Sequence, residues 1–398
     1  MATRQNVLSR YAPGLSRRSV LAGAGCLAGL RPLAGWQAGK SERLRVTRFE
    51  LFKVVVPMQP DIINSPEFGA DALTEFPSIP KFILKLHTDS GIVGIGETDR
   101  GTPEAAVRRS AEFLVGKNLL DMDLTRLALP GRGGYSGFEM ACYDAVGKAI
   151  GWPVYRLLGG LAQRRVLVNY WCGRKTPADM RRVAERAVKG RFQGIKVKGR
   201  RGDPIVKAVE AIAAVSPKLR VTVDFNSSYQ DAVEEFQPIA DGFDAIGNLE
   251  AIEDPFAKTD LGNTGDLKRR LKRSPVALHL SSPVEMLRAI KADACSVFNT
   301  VSGTLAGFVA NAFLAGAARM PVWHGSSHDL GLTDAAMLHS CAAAANCTMA
   351  SDILSFQRVD DLIVEPIDIR DSYATVPDRP GLGVVLDEDA VRRYEVKA

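Results

Sequence analysis

Lys196 and Lys198 stand one residue apart in Gly194-Ile195-Lys196-Val197-Lys198-Gly199. On a β-strand alternate side chains share a face, so the two ammonium groups lie together while Ile195 and Val197 face the other way. A lysine pair on an inward face is costly unless something uses it. Like-charge repulsion also lowers the affinity of each for its proton. A lysine so placed can be neutral near pH 7 and act as a base. A solvated edge strand would carry the same hexapeptide, so the pair alone does not decide.

Three later apolar runs end in residues that can bind a metal. Val221-Thr222-Val223 leads to Asp224, Leu249-Glu250-Ala251-Ile252 to Glu253, and Val276-Ala277-Leu278 to His279. From Lys198 the steps are 26, 29 and 26 residues, one strand, one helix and two loops each. A parallel (β/α) barrel repeats in this way and puts its chemistry at the C-terminal ends of its strands. Asn226 shares the face of Asp224 and can bond a ligand oxygen or a metal-bound water. Asp254, directly after Glu253, is expected to point away from the site.

Together with Lys-Val-Lys at 196–198, Val-Asp-Phe-Asn at 223–226 and Ile-Glu-Asp-Pro at 252–255, two upstream stretches complete a pattern: Gly137–Lys148 and Pro153–Gly160. Over residues 43–398 this pattern resembles the enolase superfamily, in the branch of mandelate racemase and muconate lactonizing enzyme. The resemblance implies an α/β fold: a modified TIM-type (β/α) barrel with an α+β N-terminal capping domain. It implies a divalent metal, magnesium in the family, that answers the charge formed when a proton leaves the carbon beside a carboxylate, with a lysine or histidine as base. Asp224 and Glu253 match the first two metal ligands. Lys198 matches the base, with Lys196 a standing charge on the substrate carboxylate. His324 matches the acid or base opposite the lysines, and His328 is a second candidate acid or substrate contact.

Two departures shape the functional expectation. The family commonly has Asp, Glu or Asn where this chain has His279. Imidazole suits Mn, Fe or Zn better than Mg, and two carboxylates with a neutral imidazole leave a divalent ion no excess negative charge. Family racemases pair the histidine with an aspartate at the end of the sixth strand, where this chain has Asn299, which can orient an imidazole but not stabilise its cation. No lysine stands there either, against the two-lysine racemases. The expected reaction is dehydration of a hydroxy or sugar acid. Racemisation or epimerisation and cycloisomerisation share its intermediate, and a non-catalytic periplasmic acid-binding protein is the reading from another class.

The 398 residues are 46% hydrophobic and 24% charged, with a net charge of +6, ordinary for a globular chain. No basic block is interleaved with aromatics, so nucleic acid is not an expected partner. The run Lys268–Arg273 reads as an exposed helix end. The expected partners are a small carboxylic acid and further copies in a homo-oligomer. Six cysteines form no C-x-x-C pair and imply no disulfide scaffold. Ser16-Arg17-Arg18-Ser19-Val20-Leu21 and the short apolar run behind it resemble a twin-arginine signal over residues 1–40, hence export to the periplasm without stable membrane insertion. Residues 43–163 form the expected capping domain, rejoined by the tail 356–398, and 165–355 the barrel. Pro57–Pro80 is an expected lid loop. Barrel strands are expected near Val166–Trp171, 194–198, 220–224, 248–253, 276–279, 294–298, 321–323 and Thr348–Ser351. His339 falls in a helical run and reads as structural.

Overall fold

The computed structural model describes residues 43–69, 76–301 and 305–396, so the expected signal segment lies outside the described residues. Alternating apolar residues in the first region make an antiparallel sheet of β1 (Val46–Pro57), β2 (Ser78–Thr88) and β3 (Val93–Glu97). After α1 (Glu104–Leu114), α2 (Tyr135–Ile150) lies directly on β3. Glycine makes that approach possible, because a Cβ at Gly96 would stand 2.0 Å from the Gly137 carbonyl oxygen. The short α3 (Val154–Leu157) follows Pro153.

Strand and helix then alternate. The elements are β4 (Arg165–Leu167), β5 (Tyr170–Cys172), α4 (Pro177–Lys189), β6 (Gly194–Lys198), α5 (Ile205–Val215), β7 (Arg220–Asp224) and α6 (Gln237–Ile246). There follow β8 (Leu249–Glu253), α7 (Leu261–Arg270), β9 (Val276–His279), α8 (Pro283–Lys291), β10 (Val297–Asn299), α9 (Ala306–Ala317), β11 (Val322–Trp323) and α10 (Gly331–Ala343). The seven strands β5 to β11 form a parallel sheet in chain order.

Two strand expectations need correction. The first strand, expected unbroken from Val166 to Trp171, divides: β4 pairs antiparallel with the tail strand β13 (Tyr373–Thr375), which follows β12 (Ile369–Arg370), and only β5 joins the parallel sheet. The eighth, expected at Thr348–Ser351, is not a regular strand. It closes the barrel through a few backbone hydrogen bonds on both sides, among them Ser351 N to Leu167 O (2.8 Å) and Asp352 N to His324 O (2.9 Å), and a Val168–Ser351 bridge.

The tail packs against the first sheet. Lys85 Nζ in β2 lies 2.6 Å from Glu388 Oε1 at the start of α11 (Glu388–Tyr394). A single apolar cluster joins Val54 and Ile83 of the sheet, Met140 of α2, Phe298 of the barrel and Val391 of the tail. Cap, barrel and tail therefore share one core. No helix among the described residues is long and apolar enough to cross a membrane.

Candidate active site

The parallel ladder puts Lys198 opposite Asp224, and Asp224 opposite Glu253. These three side chains form one row across adjacent strand ends. Beneath them, Ala251, Ala277, Val297 and Trp323 pack together. Lys196 Nζ lies 5.5 Å from the centroid of the Trp323 ring. The β-branched and apolar residues between these positions face the surrounding helices, so the period of two that forms the strands also collects the polar groups inside.

Each lysine meets carboxylates. Lys196 Nζ is 2.9 Å from both Glu253 Oε2 and Asp352 Oδ2. Burial alone would pull its pKa down, but Asp352, Glu253 and Asp224 outweigh burial and raise it. The expected mutual lowering is therefore overturned at Lys196. Lys198 Nζ donates to Asp224 Oδ2 (2.5 Å) and Asn226 Oδ1 (2.9 Å). Burial pushes the Asp224 pKa up, but the Lys198 and Lys196 charges prevail and hold it well below the usual carboxylate range.

Glu253, Asp254 and His279 bring one ligand atom each within 4.8 Å of one another. Asp254, expected to turn from the site into a supporting hydrogen bond, makes such a bond but also stays within reach of Glu253 and His279. Its backbone enters the left-handed region (φ 43°) just past the strand end, where alternation no longer applies, and its Oδ1 accepts from His279 N at 2.9 Å. Burial and the neighbouring Asp224 charge push the Glu253 carboxyl up to about 7. Burial and Asp224 likewise lift Asp254 to about 6 against the pull of Lys258. Burial, with Lys258 and Lys196, lowers His279 to about 3, so its ring is neutral and offers a lone pair. Crowded buried carboxylates beside a neutral imidazole fit a divalent cation. Glu253 and His279 belong to both the expected and the observed set, whereas Asp224 and Asp254 are rivals for the third place.

The histidine side differs from expectation. Trp323 faces the barrel interior, whereas the ring of His324, the residue after β11, stacks on Phe308 of α9 (centroids 4.6 Å, interplanar 27°). Its Nδ1 lies 2.7 Å from Gly325 O. His324 is thus on the helix side of the strand end rather than opposite the lysines. Nor does Asn299 serve as its partner in the expected way: Asn299 Nδ2 donates to Glu253 Oε1 at 2.6 Å. His328 stands closer to the lysines. Its ring lies edge-on to Trp171, which pairs with Lys196 in the ladder, with centroids 4.7 Å apart. It also meets Phe76 from the expected lid loop at 4.5 Å. Burial, then the Lys198 charge, lower its pKa to about 3.

Sequence reasoning passed over Asp352, Gln357 and Lys81. Asp352 directly follows the expected eighth strand, and the same strand-end rule that found Asp224 points to it. Gln357 and Lys81 left no such signal. His339 is structural as expected: Nδ1 accepts from Tyr155 N (3.2 Å) and Nε2 donates to Leu382 O (3.1 Å).

Residues 179–390 match the family model for the enolase C-terminal domain-like fold. Residues 72–159 match that for the mandelate racemase/muconate lactonizing enzyme N-terminal domain. The chain is 30% identical to an N-succinylamino acid racemase of Thermus thermophilus, over 70% of this chain and 77% of that one. It is 34% identical to a D-galactonate dehydratase of Variovorax paradoxus, over 38% of this chain and 45% of that one. The crystal structure of a muconate lactonizing enzyme from Pseudomonas fluorescens, complexed with muconolactone, superposes with a TM-score of 0.78 at 20% identity, covering 89% of this chain and 100% of that one.

Proposed function

The chain belongs to the enolase superfamily, in the mandelate racemase/muconate lactonizing branch, and is an enzyme of it; from that premise we propose that it dehydrates a small hydroxy or sugar acid. The observation that carries the reading is the single row of Lys198, Asp224 and Glu253, with Lys196 charged beside it. In this reading Lys196 holds the substrate carboxylate and Lys198, once deprotonated, takes the α-proton. A divalent metal, held by Glu253 and His279 with Asp224 or Asp254, supplies Lewis-acid stabilisation of the charge that develops on the carboxylate oxygens. Magnesium follows from the family, and the imidazole ligand suits manganese, iron or zinc.

The site is one-sided. Lys198 approaches from one face, while His328 is neutral and His324 is turned away. Elimination needs only one base, because the proton taken by Lys198 can pass to the departing hydroxyl on the same face. The Cα–H and Cβ–O bonds break, water leaves, and an enol bearing a hydroxyl on Cα tautomerises to a keto acid. Racemisation needs a second acid or base on the opposite face. It is the second reading, favoured by the similarity to the N-succinylamino acid racemase. The binding-protein alternative has no support among these relatives.

Screening an acid-sugar library in D2O by mass spectrometry and NMR tests the proposal. Loss of water with deuterium at the former β-carbon, where the enol takes up its proton, is the expected result. Equal α-exchange from both enantiomers of an acid, without loss of water, would replace dehydration with racemisation.

Export and assembly are further parts of the proposal. Replacing Arg17 and Arg18 by lysine should retain the protein in the cytoplasm of a twin-arginine-competent host, and unchanged fractionation would refute a signal role. A homo-oligomer is suggested by α9, which has no charged residue and leaves Phe313 81% exposed. Light scattering would show a monomer if that is wrong.

A further inference from the structure

His328 is held by groups from three distant parts of the chain. Its backbone is left-handed (φ 64°), and its N–H donates to Ser326 Oγ at 3.0 Å. Ser326 Oγ in turn donates to Asp329 Oδ2 at 2.6 Å, and Lys81 of the cap sheet donates to Asp329 Oδ1 at 2.6 Å. The ring lies against Trp171 of the barrel and Phe76 of the lid loop. Its Nδ1 meets Gln357 Oε1, from the C-terminal tail, at 3.1 Å. The Gln357 backbone oxygen accepts from Gln59 N at 2.7 Å, which ties the tail to the lid loop.

With the Gln357 amide oxygen toward the ring, the ring nitrogen facing it carries a proton, and Gln357 Nε2 is left buried without a partner among the described residues. That leaves His328 Nε2, on the other side of the ring, as the lone pair of a neutral imidazole, and no described residue bonds to it. The charged groups around the ring are Lys198, Asp329 and Arg100. Asp329 has its own strong cation in Lys81, and Lys198 and Arg100 oppose a second positive charge. The packed surfaces of Trp171 and Phe76 bring none.

We propose that Gln357 is a positioning residue that fixes the Nδ1–H tautomer of His328 and leaves the ring uncharged through turnover, which makes proton exchange at the substrate α-carbon one-sided. This rests on the reading of the site as a lysine-initiated elimination. A carboxylate in place of the amide would stabilise the imidazolium and turn His328 into an effective base. A neutral amide keeps the ring oriented without supplying that charge. The tail thus helps to select among the reactions open to one intermediate.

The test uses the full-length, metal-loaded protein with 15N-labelled histidine, the His328 signals being assigned by comparison with His328→Asn. In the wild type, the expected ring is neutral from pH 5 to 9 with the proton on Nδ1. Gln357→Glu should raise the His328 titration midpoint by about 1–3 pH units. It should also increase α-deuterium exchange from the enantiomer that the wild type exchanges slowly by about tenfold or more. Gln357→Leu should abolish the single tautomer without raising the midpoint, and it serves if the glutamate variant does not fold. A wild-type His328 that titrates between pH 5 and 9 overturns the proposal. So does an unchanged tautomer in Gln357→Leu, or an unchanged midpoint in a folded Gln357→Glu. The NMR readouts need no substrate. A Lys198→Ala variant that keeps α-exchange would therefore sink the elimination reading while leaving the Gln357 result standing.

Discussion

Lys196 and Lys81 are both buried, and each lies between two carboxylates. Lys196 faces Glu253 and Asp352 at 2.9 Å, and Lys81 faces Glu97 and Asp329 at 2.6 Å. In both cases burial pulls the pKa down and the carboxylates raise it above the ordinary lysine value. What separates them is what the carboxylates do next. Glu97 also accepts from Leu330 N and Thr333 N, and Asp329 from Ser326 and Ser327, so the Lys81 cluster is complete. Around Lys196, Asp352 Oδ1, Asn299 Oδ1 and Trp323 Nε1 are buried and have no partner among the described residues. A saturated cluster cements two parts of a fold, whereas an unsaturated one is prepared for something that is not protein. A perturbed lysine therefore identifies neither role by itself.

The contrast can be broken most sharply at Lys198. Its replacement by alanine should reduce α-proton exchange by about 10²–10⁴-fold, the usual contribution of a positioned base. NMR of an accepted acid in D2O measures it, and retained exchange would remove Lys198 from the role of base.

A second experiment compares the two buried cations directly. Lys81→Met leaves a complete cluster with uncompensated charge and should cost about 3–5 kcal/mol, with or without metal. Lys196→Met should cost a similar amount in metal-free protein, but saturating Mg or Mn should recover part of it, because a cation can take up the exposed carboxylates. Denaturant midpoints with and without metal give the comparison. Equal metal rescue of both variants would erase the distinction drawn here.

Metal binding itself should stabilise the wild type by about 2.7 kcal/mol at a metal concentration 100-fold above the dissociation constant. Glu253→Gln should lose most of this increment. Asp224→Asn and Asp254→Asn should separate the two rivals for the third ligand position, since only the true ligand will weaken binding in calorimetry. A stabilisation unaffected by Glu253→Gln would place the cation elsewhere.

The smallest effect concerns the histidines, which repeat the contrast between saturated and open groups. His339 has both ring nitrogens bonded, and burial lowers its pKa to about 4. The unfolded chain then binds the proton more tightly. Stability from the neutral ring is complete above the unfolded value near 6.5 and declines as pH falls toward 4. The loss should be about 1 kcal/mol between pH 6.5 and 5.5. His339→Gln should flatten the pH dependence by that amount in thermal melts, and an unaltered slope would show that His339 does not contribute.

The legible half of the site lies on strands. Lys196, Lys198, Asp224, Glu253 and His279 could be found because a strand has a period of two and a barrel step has a nearly constant length, so local sequence determines which side chains share the interior. The same rule reaches Asp352. It fails just past the strand ends. Asp254 leaves the alternation through a left-handed backbone, and His324, the residue after β11, stacks on Phe308 while Trp323 faces inward.

Barrel order, the shared face of Lys196 and Lys198 and the core of the acidic cluster were thus determined by the sequence alone, since each follows from short-range periodicity repeated along the chain. Which histidine faces the lysines, which group holds it, and which buried lysine is structural were decided only in three dimensions. Those answers depend on contacts between residues far apart in the chain: Lys81 with Asp329, Lys196 with Asp352, and a glutamine of the tail with His328. Loop conformation and long-range electrostatics have no period, so no local pattern announces them.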